Sequence, residues 1–158
     1  MTTSQALLLS LLIGVIAGLR SLTAPAVVAW AAHHGWLQLH DTPLRFLGLT
    51  AALVIFVVLA LAELVADKLP STPSRTEPVG LIARFILGGL SGAAVAAAGA
   101  NSLLFGAILG ALGGIAGAFT GYQLRTRLVK TFAVPDFAFA LLEDAVAVGG
   151  GLLIVSRF

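Results

Sequence analysis

Gly14-Val-Ile-Ala-Gly-Leu-Arg-Ser-Leu-Thr-Ala-Pro25 sets an arginine, two hydroxyl side chains and a proline inside an apolar run reaching from about Ala6 to Ala32. Such a run is long enough for a transmembrane helix, which needs roughly 20 mostly apolar residues. A guanidinium inside it is costly in lipid and is expected to face protein or water. Proline removes a backbone donor and Gly18 loosens the chain, so this first span is expected to kink or break just after Arg20. Backbone groups freed at that depth must line a cavity or bond to Ser21, Thr23 and their neighbours.

The rest of the chain repeats the theme. Of 158 residues, 59% are hydrophobic and only 10% charged, with a mean hydropathy of +1.05. Soluble domains hold roughly 45–50% apolar residues, and one small core could not hide the excess. Beyond the first span, four more are expected, at about Phe46–Ala66, Val79–Ala98, Leu103–Leu124 and Phe137–Val155. The fold class is therefore all-α, a polytopic membrane protein of about five transmembrane helices in one integral membrane domain, 1–158. Trp30 and Trp36 flank a polar loop and suit interfacial anchoring. The prolines Pro70, Pro73 and Pro78 make the connection after Lys68 non-helical.

Two pairs of segments read alike. Gly14-Val-Ile-Ala-Gly-Leu-Arg-Ser21 matches Gly113-Gly-Ile-Ala-Gly-Ala-Phe-Thr120, and Ala60-Leu-Ala-Glu-Leu-Val-Ala-Asp67 matches Ala140-Leu-Leu-Glu-Asp-Ala-Val-Ala147. Partners lie three spans apart, which predicts an inverted repeat of helices 1–2 against 4–5. Its halves would be about 6–69 and 103–157, linked by a central span at about 79–98. Inverted repeats are a common plan of transporters, with the site where the halves meet.

Charges inside the spans are the candidate functional groups: Arg20, Glu63, Asp67, Glu143 and Asp144. Glu63 and Asp67 share a helix face at a spacing of four and could bind a hard cation through oxygen or exchange protons. Adjacent residues on a helix diverge by about 100 degrees, so Glu143 and Asp144 point apart, one to the site and the other toward Arg20 or Arg84. If a metal binds, Glu63 and Glu143 are its candidate ligands. Arg20 is expected to act as counter-ion to the acids or as ligand to an anionic group. The small-xxx-small rows Gly106/Gly110/Gly114 and Gly113/Gly117/Gly121 are packing surfaces, with a glycine face as the expected interface of a homodimer.

Other chemistry has little support. Without cysteine there is no disulfide or thiolate site. His33, His34 and His40 fit a solvated loop. No hydrolase nucleophile motif or phosphate-cradling loop is present, so no enzymatic activity and no cofactor are expected. A formal net charge of +2 points to membrane topology rather than to nucleic acid. Lys68, Arg75, Arg125, Arg127 and Lys130 outweigh Arg45 and Arg157, which with five spans predicts a cytoplasmic N-terminus and an external C-terminus.

The motifs Gly18-Leu-Arg-Ser21, Glu63-Leu-Val-Ala-Asp-Lys-Leu-Pro70, Thr72-Pro-Ser-Arg75 and Leu141-Leu-Glu-Asp-Ala145 occur in order. In these the chain resembles a bacterial family of small integral membrane proteins catalogued as a domain of unknown function. That resemblance covers nearly the whole length; it implies a membrane location, the bacterial inner membrane, and no activity. Glu63–Lys68 is also similar to the Glu-x-Gly-Asp-Lys/Arg motif of a family of cation/proton exchangers. Here the acids are four rather than three apart and the central glycine is replaced, so the likeness is an analogy. The expected function is a small transporter or channel-like protein with an intramembrane acidic site for a cation or coupling protons. The alternative is a membrane assembly or lipid-binding protein whose Arg–carboxylate network is structural. The expected partners are the bilayer, a small ion or solute and a second copy.

Overall fold

Apolar side chains cover the outside of this protein and charges sit within it, the reverse of a soluble domain. Ile55 is 56% exposed and Leu153 63%, whereas Arg20 is 0% exposed. The computed structural model describes residues 2–67, 76–132 and 136–158, and the side chains of all of these except 129–132 and 136. Lys68, Pro70, Pro73, Arg75, the side chain of Lys130 and that of Asp136 lie outside the described residues.

Six α-helices are formed among the described residues: α1 (Thr3–Leu19), α2 (Thr23–His33), α3 (Thr50–Ala66), α4 (Pro78–Ala98), α5 (Leu103–Phe132) and α6 (Asp136–Val155), with a 3-10 turn at Pro43–Gly48 before α3. Pro78–Ala98, Leu103–Leu128 and Phe137–Val155 are long and apolar enough to cross a membrane; α1 and α3 are apolar but have 17 residues each. This all-helical arrangement fits a polytopic membrane protein.

The first apolar run is not one span. Arg20 adopts an extended conformation (φ −137°, ψ 108°) and ends α1, and the chain turns back over Ser21 and Leu22. Ile16 of α1 and Val27 of α2 then pack on neighbouring residues of α6, Gly150 and Gly151, while Arg20 lies farther up α6 at Glu143 and Asp144. Residues that a continuous helix would set roughly 16 Å apart thus lie at one level. Ala24, Val27, Val28 and Ala31 of α2 join Ile13, Ile16 and Ala17 of α1 in a core closed by Ala94 and Val95 of α4 and Ala147, Ile154 and Val155 of α6.

Glycine sets the helix spacing. On α5, Gly110 and Gly114 lie against the backbone of α4 at Gly88 and Arg84, whereas Gly113 and Gly117 lie against α1 at Leu11, Val15 and Gly18. A methyl group on Gly18 would sit 2.6 Å from Gly117 Cα, and one on Gly88 would sit 2.6 Å from the Gly110 carbonyl oxygen. No side chain fits between backbones this close, as in small-residue membrane interfaces generally. Gly106, Gly110, Gly113, Gly114 and Gly117 of these rows thus pack within one chain rather than standing open to a second copy.

The same contacts fix helix direction. Gly14 meets Gly110 and Gly18 meets Gly114, numbers rising together, so α1 and α5 run parallel; Gly88 meets Gly110 and Gly92 meets Gly106, so α4 runs opposite to α5. With Gly14 aligned to Gly113 and Gly18 to Gly117, the α1–α5 contacts are reciprocal: Gly14 touches Gly110 as Gly113 touches Leu11, and Gly18 touches Gly114 as Gly117 touches Val15. The second pair behaves differently. Glu63 near the end of α3 and Glu143 near the start of α6 both lie at the Arg20 level, and α3 and α6 run in opposite directions. One inversion therefore does not relate both pairs, because the turn at Ser21 adds a reversal the repeat did not include. That reversal also brings the ends of the chain together: Gln5, Leu8, Leu9 and Arg157 line one crevice. Both termini lie at one end of the bundle, in place of the expected opposite faces, and the charged cluster lies toward the other.

Two measurements check this arrangement. Since the chain has no cysteine, Ser4→Cys and Ser156→Cys can be labelled singly with a membrane-impermeant maleimide, and both should react from the same side. Gly110→Val should cost at least about 1–3 kcal/mol from overpacking, read as a lower melting temperature in detergent. Gly149→Val, where a new Cβ meets nothing within 4 Å, should cost far less.

Candidate functional site: an arginine among carboxylates at a chain reversal

Breaking a helix strands carbonyls at the end of one piece and N–H groups at the start of the next. Here members of both sets are bound by charged side chains from other helices. Glu63 of α3 reaches the start of α2, where Oε1 accepts from the Ser21 N–H at 2.8 Å and the Ser21 hydroxyl at 2.5 Å, and Oε2 accepts from the Leu22 N–H at 2.8 Å. α2 has no capping bond from its own N-cap side chain; Glu63 serves instead, with a negative charge at the positive end of the helix. On the α1 side, Arg84 Nε donates to the Gly18 carbonyl at 3.0 Å and Nη1 donates to the Gly80 carbonyl at 3.0 Å.

Arg20 points between α3 and α6. Its Nη1 donates to Asp67 Oδ2, and its Nη2 lies 2.7 Å from Asp144 Oδ1 and 3.8 Å from Glu143 Oε2. Arg125 of α5 brings its Nη1 to 3.7 Å from the same Glu143 oxygen. The Asp144 contact is an ion pair by distance without hydrogen-bond alignment, and Arg20 Nε has no hydrogen-bond partner among the described residues. The hydroxyl of Thr23, 3% exposed, likewise has none. Asp67, Asp144 and Glu143 keep 18%, 13% and 11% of their side-chain surface accessible. The cluster is thus closed around Arg20 and open a little on its acid side.

All five residues singled out from the sequence converge here. Arg20 contacts Asp67, Glu143 and Asp144 directly, and Glu63 binds the two residues that follow Arg20. Their tasks divide differently from the expectation. Glu63 and Asp67 share a helix face, yet Glu63 caps a helix while Asp67 holds the guanidinium. Glu143 and Asp144, though adjacent, both come within reach of one arginine. Glu63 faces the Ser21 and Leu22 backbone, and Glu143 faces the guanidinium groups of Arg20 and Arg125. Among the described residues no group of three or more His, Asp or Glu side chains is arranged to hold a metal ion. At the other end, His33 Nδ1 and His34 Nδ1 lie 3.0 Å and 2.8 Å from the carbonyls of Gly48 and Trp30. The Trp30 and Trp36 rings meet edge to face, with centroids 4.9 Å apart.

Arg125 belongs to the site and is a member the sequence reading does not include; Arg84, expected there as a partner for Glu143 or Asp144, binds the Gly18 and Gly80 carbonyls. Arg84 had a signal of its own, as an arginine well inside the third apolar segment. Arg125 was read only as part of a basic patch, and nothing in its spacing points to Glu143.

The site and fold define a helical protein of membrane character, with charges gathered inside the bundle at a broken helix. The chain belongs to the family described as a domain of unknown function, DUF4126, whose model matches residues 7–156. No curated protein and no solved structure matches it.

Glu63→Ala should strand the Ser21 and Leu22 donors at a cost of about 1–3 kcal/mol each. Glu63→Gln, keeping one acceptor oxygen, should lose less, so thermal melting in detergent should rank wild type above Gln above Ala.

Proposed function

We propose that this protein is a small carrier or channel-like protein of the bacterial inner membrane. Asp67, Glu143 and Asp144 form its exchange site for a cation or coupling protons, with Arg20 as the resident counter-ion. One observation supports this above others: a fully buried guanidinium is faced by carboxylates from two other helices, beside a chain reversal within the apolar bundle. Broken helices with charges at the break are the usual ion and substrate sites of transporters. A proton arriving on Asp67 or Asp144 neutralises that partner, weakens its hold on Arg20 and lets the guanidinium shift toward the remaining acids. A small cation acts alike, by competing with the guanidinium for carboxylate oxygen. The partial exposure of the three acids gives either one access. No enzymatic step and no cofactor enter this reading.

The same reading takes α3, α4, α5 and α6 as membrane-crossing, and α1 with α2 as one re-entrant hairpin that enters from the terminal end and reverses at Ser21. The basic residues Arg125, Arg127 and Lys130 of α5, with Lys68 and Arg75 of the segment between α3 and α4, outweigh Arg45 and Arg157 at the terminal end. Positive-inside placement then puts the charged end in the cytoplasm and both termini outside.

A static network is the second reading, favoured by the caps: Glu63 and Arg84 bind backbone groups at the break. Flux and stability separate the two. In proteoliposomes, Asp144→Asn and Glu143→Gln should abolish proton or alkali-cation flux while the protein stays helical and monodisperse. Wild-type vesicles that move none of these ions, together with variants that only aggregate, would leave the structural reading in place.

A further inference from the structure

The crevice at the terminal end of the bundle, of about 390 Å³, is lined by Gln5, Leu8, Leu9 and Arg157. Its chemistry is two-sided. Arg157 is exposed and has no ion pair among the described residues. Gln5 accepts the Thr2 N–H on its carbonyl oxygen at 3.0 Å, which leaves its amide NH2 as the group available to a ligand. The polar side of the crevice therefore offers donors and a positive charge. The rest of the lining is leucine, on the same face of α1 one turn beyond Gln5: Leu8 is 54% exposed, and Leu12, one turn farther along α1 toward the middle of the bundle, is 40% exposed. A ligand that satisfies both sides carries acceptor oxygens with negative charge at one end and a hydrocarbon tail at the other.

We propose that this crevice binds one anionic phospholipid, its phosphate on Arg157 and Gln5 and an acyl chain along Leu8 and Leu12. Three features on the page favour a lipid over a soluble anion. The apolar wall continues along α1 in the direction of the bilayer interior, where an acyl chain runs. The charge is a single exposed arginine, which suits a headgroup held also by its tail. The crevice lies at the same end as the paired Trp30 and Trp36 rings, the residue type enriched at membrane–water interfaces. The site is separate from the Arg20 cluster, and the proposal does not rest on transport.

Native mass spectrometry of the full-length protein, released from micelles containing equal phosphatidylglycerol and phosphatidylcholine, tests it. Phosphatidylglycerol should be retained in preference. Arg157→Gln should reduce that preference about fivefold, the weight of one basic residue at an anionic surface, and Leu8→Gln should lower retention of both lipids. Excess inorganic phosphate should leave the wild-type adduct in place. Equal retention of the two lipids, an unchanged preference in Arg157→Gln, or displacement by phosphate alone would overturn the proposal.

Discussion

The ion pairs of Arg20 with Asp67 and Asp144 join three stretches of chain that lie far apart in sequence. A guanidinium in hydrocarbon costs about 3 kcal/mol even on the lenient insertion scale, and each acid left alone there costs a similar amount. Together they remove most of that penalty, so α1, α3 and α6 must assemble with these faces inward. Breaking such a buried set by removing one member costs about 3–5 kcal/mol, more than the set adds relative to an apolar replacement. The cluster therefore specifies the arrangement more than it strengthens it.

Strength comes from the glycine seams instead. α5 presents two rows of missing side chains, one to α4 and one to α1, and backbone packs directly on backbone along both. The charged cluster sits where the α1 seam ends, at Gly18, whose carbonyl is bound by Arg84. Packing and charge are thus consecutive along the same helix. A seam that opened would move Arg20 relative to its acids.

How much of this was legible in the sequence depends on range. The intramembrane charges announce themselves by their cost, and all five candidates converge as that cost requires. The break after Arg20 was legible from Gly18 and Pro25, but its angle was not. Ala24 to Ala32 is as apolar as the stretch before the break, so hydropathy merges α2 with α1 into one span. Only Ser21 and Thr23 hint at a turn. Missing that reversal set the two termini at opposite ends and made the repeat look inverted, although α1 and α5 run parallel. The glycine rows were legible as packing surfaces, yet their partners were not, since a small-xxx-small row fits a neighbour in the same chain as readily as a second copy. Glu63 was legible as a buried acid, whereas its cap on α2 could be foreseen only by knowing where α2 starts.

At 1.5 Å per residue the 30 residues of α5 make a rod of about 45 Å, well beyond a hydrocarbon core of about 30 Å. The same rod holds both seams and carries Arg125, so one rigid element ties the packing of α1 and α4 to the Glu143 carboxylate with no hinge between them.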